Sequence, residues 1–417
     1  MKTQKTKLVE LPKQEQLEEV WINLVSKRVA YSEKSDDINK SRMVIDGEAH
    51  LYYDDVRDLK FSKDGKEYAY VAKNDDEYFI IKNGKKIATH SFIGFNSLRW
   101  SPDNYLAYTI SKDNGYYVVY KQDAFGPFES KQPKEGYNVP LFSFHPQTFD
   151  IAYAAKIKDK WAVEISGKRL REYDMIMDLS FNKKGEICYR FKKDEYWGVY
   201  YKNEEISSGY DLITDIAISP DGKRIGFIAK KDNKWYAALD RDKGEMYDSA
   251  SQPMFSEDNQ VFAFHGYTDT SPEDDDEYDD DASYDNYFVV INWQPQKPYD
   301  NTMGLAISKD SKKIAYVASK EGDNDCFVVV NEVEMKPYSG VDHFSLKFSP
   351  DGHHLGYLAF DNSMFEDGKK SIVVIDSKES EPFDGVYSEI SFVDDSKKAV
   401  YVALQENSLY WIEHTLI

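Results

Sequence analysis

A tight Ser-Pro-Asp-Gly turn between two short apolar runs, at residues 219–222, recurs in graded variants along nearly the whole chain, and this repetition constrains the fold more than any other feature. Pro220 fixes φ, the Asp221 side chain bonds its own backbone and Gly222 accepts a positive φ, so the turn reverses the chain sharply. Around it, residues 216–248 read as an apolar run, the turn, a second apolar run, a polar turn, a third run opened by Trp235, and a closing Tyr247-Asp248. That pattern spells four short antiparallel strands. One such sheet cannot bury both its faces, so it needs neighbours of its own kind.

The neighbours are present. Equivalents of Ser219 fall at Ser62, Ser101, His145, Asn182, Ser256, Ser308, Ser349 and Val393, at spacings of 37 to 52 residues. A period near 40 residues is the size of one four-stranded propeller blade. After each marker comes an apolar-small-aromatic triplet, such as Tyr68-Ala69-Tyr70, Ile225-Gly226-Phe227 or Leu355-Gly356-Tyr357. The small central residue lets a neighbouring sheet approach, while its large flanks fill the opposite face. Tyr-Asp pairs close several units, at Tyr173, Tyr210, Tyr247 and Tyr299.

Residues 20–31 overlay residues 305–316 without a gap, which adds a first unit with decayed turn chemistry and makes ten. The last unit, whose third strand is expected at 409–412, lacks a fourth strand, and the isolated alternating segment 7–11 has no unit of its own. The segment is expected to supply the missing strand, closing a ring and removing its open edge. Residues 1–18 then form an N-terminal segment carrying the closing strand, and 19–417 the repeats. No Pro/Gly/Ser-rich linker interrupts the series, so the expected fold is an all-β propeller with a single ring of ten four-stranded antiparallel blades. Two five-bladed rings remain the alternative.

The units resemble the TolB-type, WD-repeat-like propeller repeats, whose Phe-Ser-Pro-Asp-Gly-Lys signature is matched by residues 218–223 and 348–352 and, in degenerate form, by 61–66. The resemblance covers nearly the whole chain and implies architecture. It implies no functional residue, because relatives include both interaction proteins and the non-catalytic propellers of oligopeptidases.

Net charge is -21 with an isoelectric point near 4.9, which argues against nucleic acid or anionic membrane as partner through a global basic face. Cys188 and Cys326, the two cysteines, each fall inside an expected strand and read as small core residues rather than a disulfide. The N-terminus has no apolar signal core, so a cytoplasmic location is expected. Nucleophile-elbow, zinc-protease, dithiol, dinucleotide and Walker motifs are absent, so no catalytic residue, metal ligand or cofactor is assigned. His353-His354 reads as a solvated pair after a turn, since adjacent strand residues point to opposite faces.

Candidate binding residues are of two kinds. The middle residue of the first strand, nearest the axis of a propeller, is small in several units, as at Ser180, Ala217, Ala306 and Ser391, in keeping with crowding there. It is Lys60, Arg99 or Lys347 in others, and Trp21 in the first. These cations suit either an anionic ligand or snorkelling to one mouth of the ring. The second kind is an insertion at 266–286, in the sixth marked repeat, which contains Glu273, Asp274, Asp275, Asp276 and Glu277 within eight carboxylates in nine residues. It reads as a self-repelling surface loop able to meet a basic partner, and it lacks the Gly and terminal Glu of a calcium-binding loop. Another insertion, at 122–136, is mixed in charge. Together these features favour a non-catalytic scaffold that binds a protein partner, with an enzyme or a binder of a small anion or carbohydrate at the channel mouth as the alternative.

Overall fold

The computed structural model describes residues 2–113, 115–129, 141–165, 167–269, 286–320, 325–361 and 370–416. Ten antiparallel sheets follow one another along the chain, and no helix occurs among the described residues. Blades 1 to 9 span residues 17–49, 55–90, 99–129, 141–173, 175–210, 212–247, 249–295, 301–334 and 340–379, each pairing its four strands in sequence order. Blade 10 is built from Gly385–Val386 with Ser391–Val393, then Lys398–Gln405 and Ser408–Thr415. Its outermost strand is Lys2–Glu10, which pairs antiparallel from Lys2 opposite Thr415 to Glu10 opposite Ser408. The closing strand is thus longer than the expected 7–11, and it brings Leu11 into the core.

Burial shows that the sheets close into one ring. Each of the ten core clusters among the described residues straddles two consecutive blades. Blades 5 and 6 share Val199, Tyr201, Phe227 and Ala229, leaving no break for two five-bladed rings. The last junction packs Val400, Val402 and Trp411 of blade 10 on Val29, Tyr31 and Val44 of blade 1. Since the core lies between blades, each blade is folded by its neighbours.

The repeated residues perform the same task in most units. Ser62, Ser101, Ser219, Ser256, Ser308 and Ser349 are buried, and each hydroxyl donates to the turn aspartate two residues on, at 2.5–2.9 Å. Each also accepts a backbone N–H from the start of the second strand, such as that of Arg224 to Ser219 at 2.9 Å. In blades 4 and 5, His145 Nδ1 and Asn182 Oδ1 accept the equivalent turn amides, which is why the pattern survives loss of the serine. Gly222 is required twice over. Its φ is +64°, and a Cβ there would lie 2.6 Å from Asn182 Nδ2 in the preceding blade's turn.

The closing tyrosines wedge adjacent blades apart. Tyr210 meets Phe227 of the next blade edge-on at 5.8 Å, and Tyr247–Phe264, Tyr299–Tyr316, Tyr338–Tyr357 and Phe383–Tyr401 repeat the geometry at 5.6–6.3 Å. The aspartate after the tyrosine caps the following hairpin, as when Asp211 accepts the Asp232 amide at 2.9 Å. The small centre of each second-strand triplet receives the neighbouring blade. A Cβ on Gly226 would stand 2.4 Å from the Phe262 ring of blade 7. Gly226→Val is therefore expected to cost about 1–3 kcal/mol through overpacking, read as a lower urea midpoint at unchanged slope. An unchanged midpoint would mean that the blades can separate there freely.

One expectation fails. Residues 123–129, read as part of an insertion, form the outer strand of blade 3, Asp123–Glu129. Gly126-Pro127 breaks the alternation that marks a strand in sequence, yet an outermost strand tolerates proline because one side of it makes no ladder bonds. Residues 130–136 lie outside the described residues, as does the acidic run from Glu273 to Glu277.

Candidate functional site

First strands of neighbouring blades lie side by side around the axis. The middle residues named above occupy one structural position. Trp21, Lys60, Arg99 and Lys347 pair with Ala30, Ala69, Ala107 and Gly356, while Ser180, Ala217, Ala306 and Ser391 pair with Cys188, Gly226, Ala315 and Val400. Each sits at the inner lip of the junction with the following blade. Among these, Trp21, Lys60, Arg99 and Lys347 belong to blades 1, 2, 3 and 9 and the small residues to blades 5, 6, 8 and 10, while blade 7 has Met254 at the same position, opposite Ala263.

The cations do not converge on one point. Arg99 donates from Nη1 to the Phe142 carbonyl of blade 4 at 3.1 Å and lies 5.1 Å from the Phe142 ring centre. Lys347 pairs with Glu389 of blade 10 at 3.1 Å. Lys60 stands in the field of Asp58 and lines the same cleft as Trp21. The small residues leave space where crowding was expected. Ser180 lines a cleft of 520 Å³ between blades 5 and 6, and Ala306 and Ser391 line one of 580 Å³ that also holds Lys347. Cys188 borders the first of these, but burial pushes its thiol up to about 12, so it is no nucleophile at neutral pH. His354 is tied to Asp376 at 2.6 Å, and both cysteines are free.

The distinctive feature lies at the start of the first strands, where the ladder to the second strand is interrupted by bulges. Bulges re-aim side chains and mark functional rims. In blades 3, 9 and 10 the interruption is enlarged and pinned by a serine. Ser97, Ser345 and Ser388 each accept a second-strand amide, from Thr109, Leu358 and Val402, at 2.8–3.2 Å. Ser97 and Ser345 also donate back to the carbonyls of Gly94 and Asp342. Just before each serine an aromatic ring is thrust outward, with Phe95 66%, Phe344 80% and Tyr387 40% exposed. All first strands run the same way around the ring, so the three rings share one mouth. Sequence reasoning missed them, although an aromatic one or two residues before Ser, just ahead of a first strand, is the available signal.

Arg57, in the bulge of blade 2, fixes one ring from below. Its guanidinium lies 4.0 Å from the Phe95 centre, donates to Asp58 at 3.1 Å and to the Ile93 carbonyl at 2.9 Å, and has Asp55 at 3.6 Å. Asp58 is 6% exposed, and burial raises its carboxyl despite the opposing pull of Arg57. The same device recurs as Arg190 bonded to Asp178 and to the Ile213 carbonyl, and as His265, which contacts Thr302 Oγ1 at 2.9 Å and the Gly304 carbonyl at 3.1 Å. In each, a side chain of one blade bonds a backbone carbonyl of the next, which ties adjacent blades together at their first strands.

No protein-family model matches the chain, and no curated protein matches it. Among solved structures, the Dos1 propeller is 11% identical, with 98% of this chain and 94% of that one aligned at a TM-score of 0.36. Oligogalacturonate lyase in complex with manganese is 13% identical, with 87% and 98% aligned at 0.38. TolB from Acinetobacter baumannii is 14% identical, with 74% and 79% aligned at 0.29. At these scores the likeness carries no argument, and the propeller architecture rests on the strand order and the ten inter-blade cores.

Proposed function

We propose that the ring is a non-catalytic scaffold that docks a protein partner across the mouth carrying Phe95, Phe344 and Tyr387. The observation behind this reading is the serine-pinned bulge repeated in blades 3, 9 and 10, which holds three large aromatic rings in water on a hydrogen-bonded frame. Exposed aromatics on a fixed backbone lose little entropy on binding and are the residue type that dominates interface hot spots. Other exposed apolar side chains, such as Val25, Leu51 and Met246, lie singly on turns and outer strands and need no partner.

The reading predicts that Phe344→Ala combined with Tyr387→Ala leaves the melting temperature within a few degrees, because neither ring belongs to an inter-blade core. Recovery of a stoichiometric partner from the native host should fall at least tenfold, as expected of a hot-spot pair. Quantitative mass spectrometry of parallel captures measures this. The same proteins at the same yield from wild type and double variant would remove the mouth from the interaction.

A further inference from the structure

Phe95 borders a cleft of 370 Å³ between the inner ends of blades 1, 2 and 3, whose other aromatic wall is Trp21. Four carboxylates line it, Glu18, Glu19, Asp55 and Asp58, against two cations, Arg57 and Lys60. Arg57 is committed internally to Asp58, Asp55 and the Ile93 carbonyl, as described above. That leaves Glu18 and Glu19 in the lining with Lys60 as the remaining cation, in a chain of net charge -21. Glu18 is held in place by the Ser41 hydroxyl at 3.1 Å, and the Phe95 ring by Arg57 beneath it and by the edge of Phe92 at 6.3 Å.

We infer that this cleft accepts an organic cation, an ammonium or guanidinium group, held between the Glu18 and Glu19 carboxylates and the faces of Phe95 and Trp21. Carboxylates supply the charge attraction, and the rings supply cation–π contact while covering the aliphatic stem. Preorganisation by Arg57 means that little has to move when the cation enters. The inference rests on the docking reading above, since a Lys or Arg side chain of the partner is one source of such a group; a free polyamine is the other. It also reverses the role that Lys60 has in an anion site, because here its charge opposes the ligand.

Titration calorimetry at low salt with a lysine hexapeptide, spermidine and a glutamate hexapeptide tests this on the full chain. The lysine peptide should bind, with Glu18→Gln/Glu19→Gln weakening it about tenfold and Phe95→Ala several-fold, while Lys60→Ala tightens it several-fold. The glutamate peptide should not bind. Lysine peptide held much more tightly than spermidine identifies a side chain as the source, and the reverse order identifies a free polyamine. Equal weakening by a distant pair, Glu77→Gln/Glu245→Gln, would reduce the effect to diffuse attraction and overturn the inference. Binding of the glutamate peptide that Lys60→Ala abolishes would also overturn it. Loss of partner in the Phe344/Tyr387 variant alongside either of those results would sink the cation site and leave the docking reading standing.

Discussion

A chain lacking residues 2–11 is expected to lose on the order of 5 kcal/mol of stability, a large part of what a folded domain has. The truncation removes the whole outer strand of blade 10, paired along its length with Ser408–Thr415. It also removes Leu8, Val9 and the buried Leu11 from the core that joins blade 10 to blade 1. Lys5, which bonds Glu381 at 2.8 Å and covers the Tyr410 ring at 4.6 Å, goes with them. What remains presents an unpaired strand edge, a template for association with a second copy. Thermal unfolding should fall by ten degrees or more, and sedimentation should reveal dimers or larger species. A synthetic peptide of residues 1–11 added in trans should restore much of both. If the truncated chain melts with the wild type and stays monomeric, the ring is closed by the blade 10–blade 1 core alone.

The closing strand was legible in sequence because it is a local surplus: an alternating segment without a unit, and a unit without a strand. Blade number was legible for a related reason. The turn chemistry of Ser219 to Gly222 is set by a few adjacent residues, and its degenerate forms in blades 4 and 5 keep an acceptor at the marker position, as His145 and Asn182 show, whereas Val393 in blade 10 keeps the spacing alone. The register of Trp21, Lys60, Arg99 and Lys347 could be read because each is counted from its own turn. Their surroundings could not, because the partners lie in the next blade, Phe142 for Arg99 and Glu389 for Lys347. Crowding at the axis was the wrong inference from Ser180 and Ala306, since in a ring of ten the small residues front open clefts. The bulges were missed for a similar reason. Ser97, Ser345 and Ser388 act by accepting amides 12 to 14 residues further along, and the one local trace of those bonds is the aromatic residue just before each serine. The outer strand of blade 3 was hidden by Pro127, which reads as a breaker where only an edge was being formed.

Acid should weaken the ring in two separate windows. His265 is 4% exposed between Thr302 and Gly304 at the junction of blades 7 and 8, and burial holds its imidazole down to about 4, with the nearby His343 adding to the effect and the Gly304 carbonyl opposing it. The folded chain therefore refuses a proton that the unfolded chain accepts below its ordinary value near 6.5. Stability is full above 6.5, falls as the pH drops toward 4, and levels off below, for a total of roughly 3 kcal/mol from this residue. His414 titrates in the same direction, held to about 4 by burial where it joins Tyr401 to Thr3 of the closing strand, at 2.8 and 2.9 Å. Its protonation thus acts on ring closure itself. Asp310 and Glu334 are depressed to about 2, the first by Ser308 and the second by Lys297 and Lys320, so their contributions are lost only as the pH falls below the ordinary carboxylate range. Urea midpoints taken from pH 7.5 down to about 2.5 should slope downward throughout the upper window, and His265→Gln should remove a large share of that slope while leaving the lower window intact. Parallel curves for wild type and variant would mean that the buried imidazole is not what resists the proton. The Phe344/Tyr387 variant should keep both windows, because it leaves His265, His414 and their hydrogen-bond partners in place; the Phe344 ring lies 4.0 Å from His343, whose effect on His265 is the smallest of the three causes.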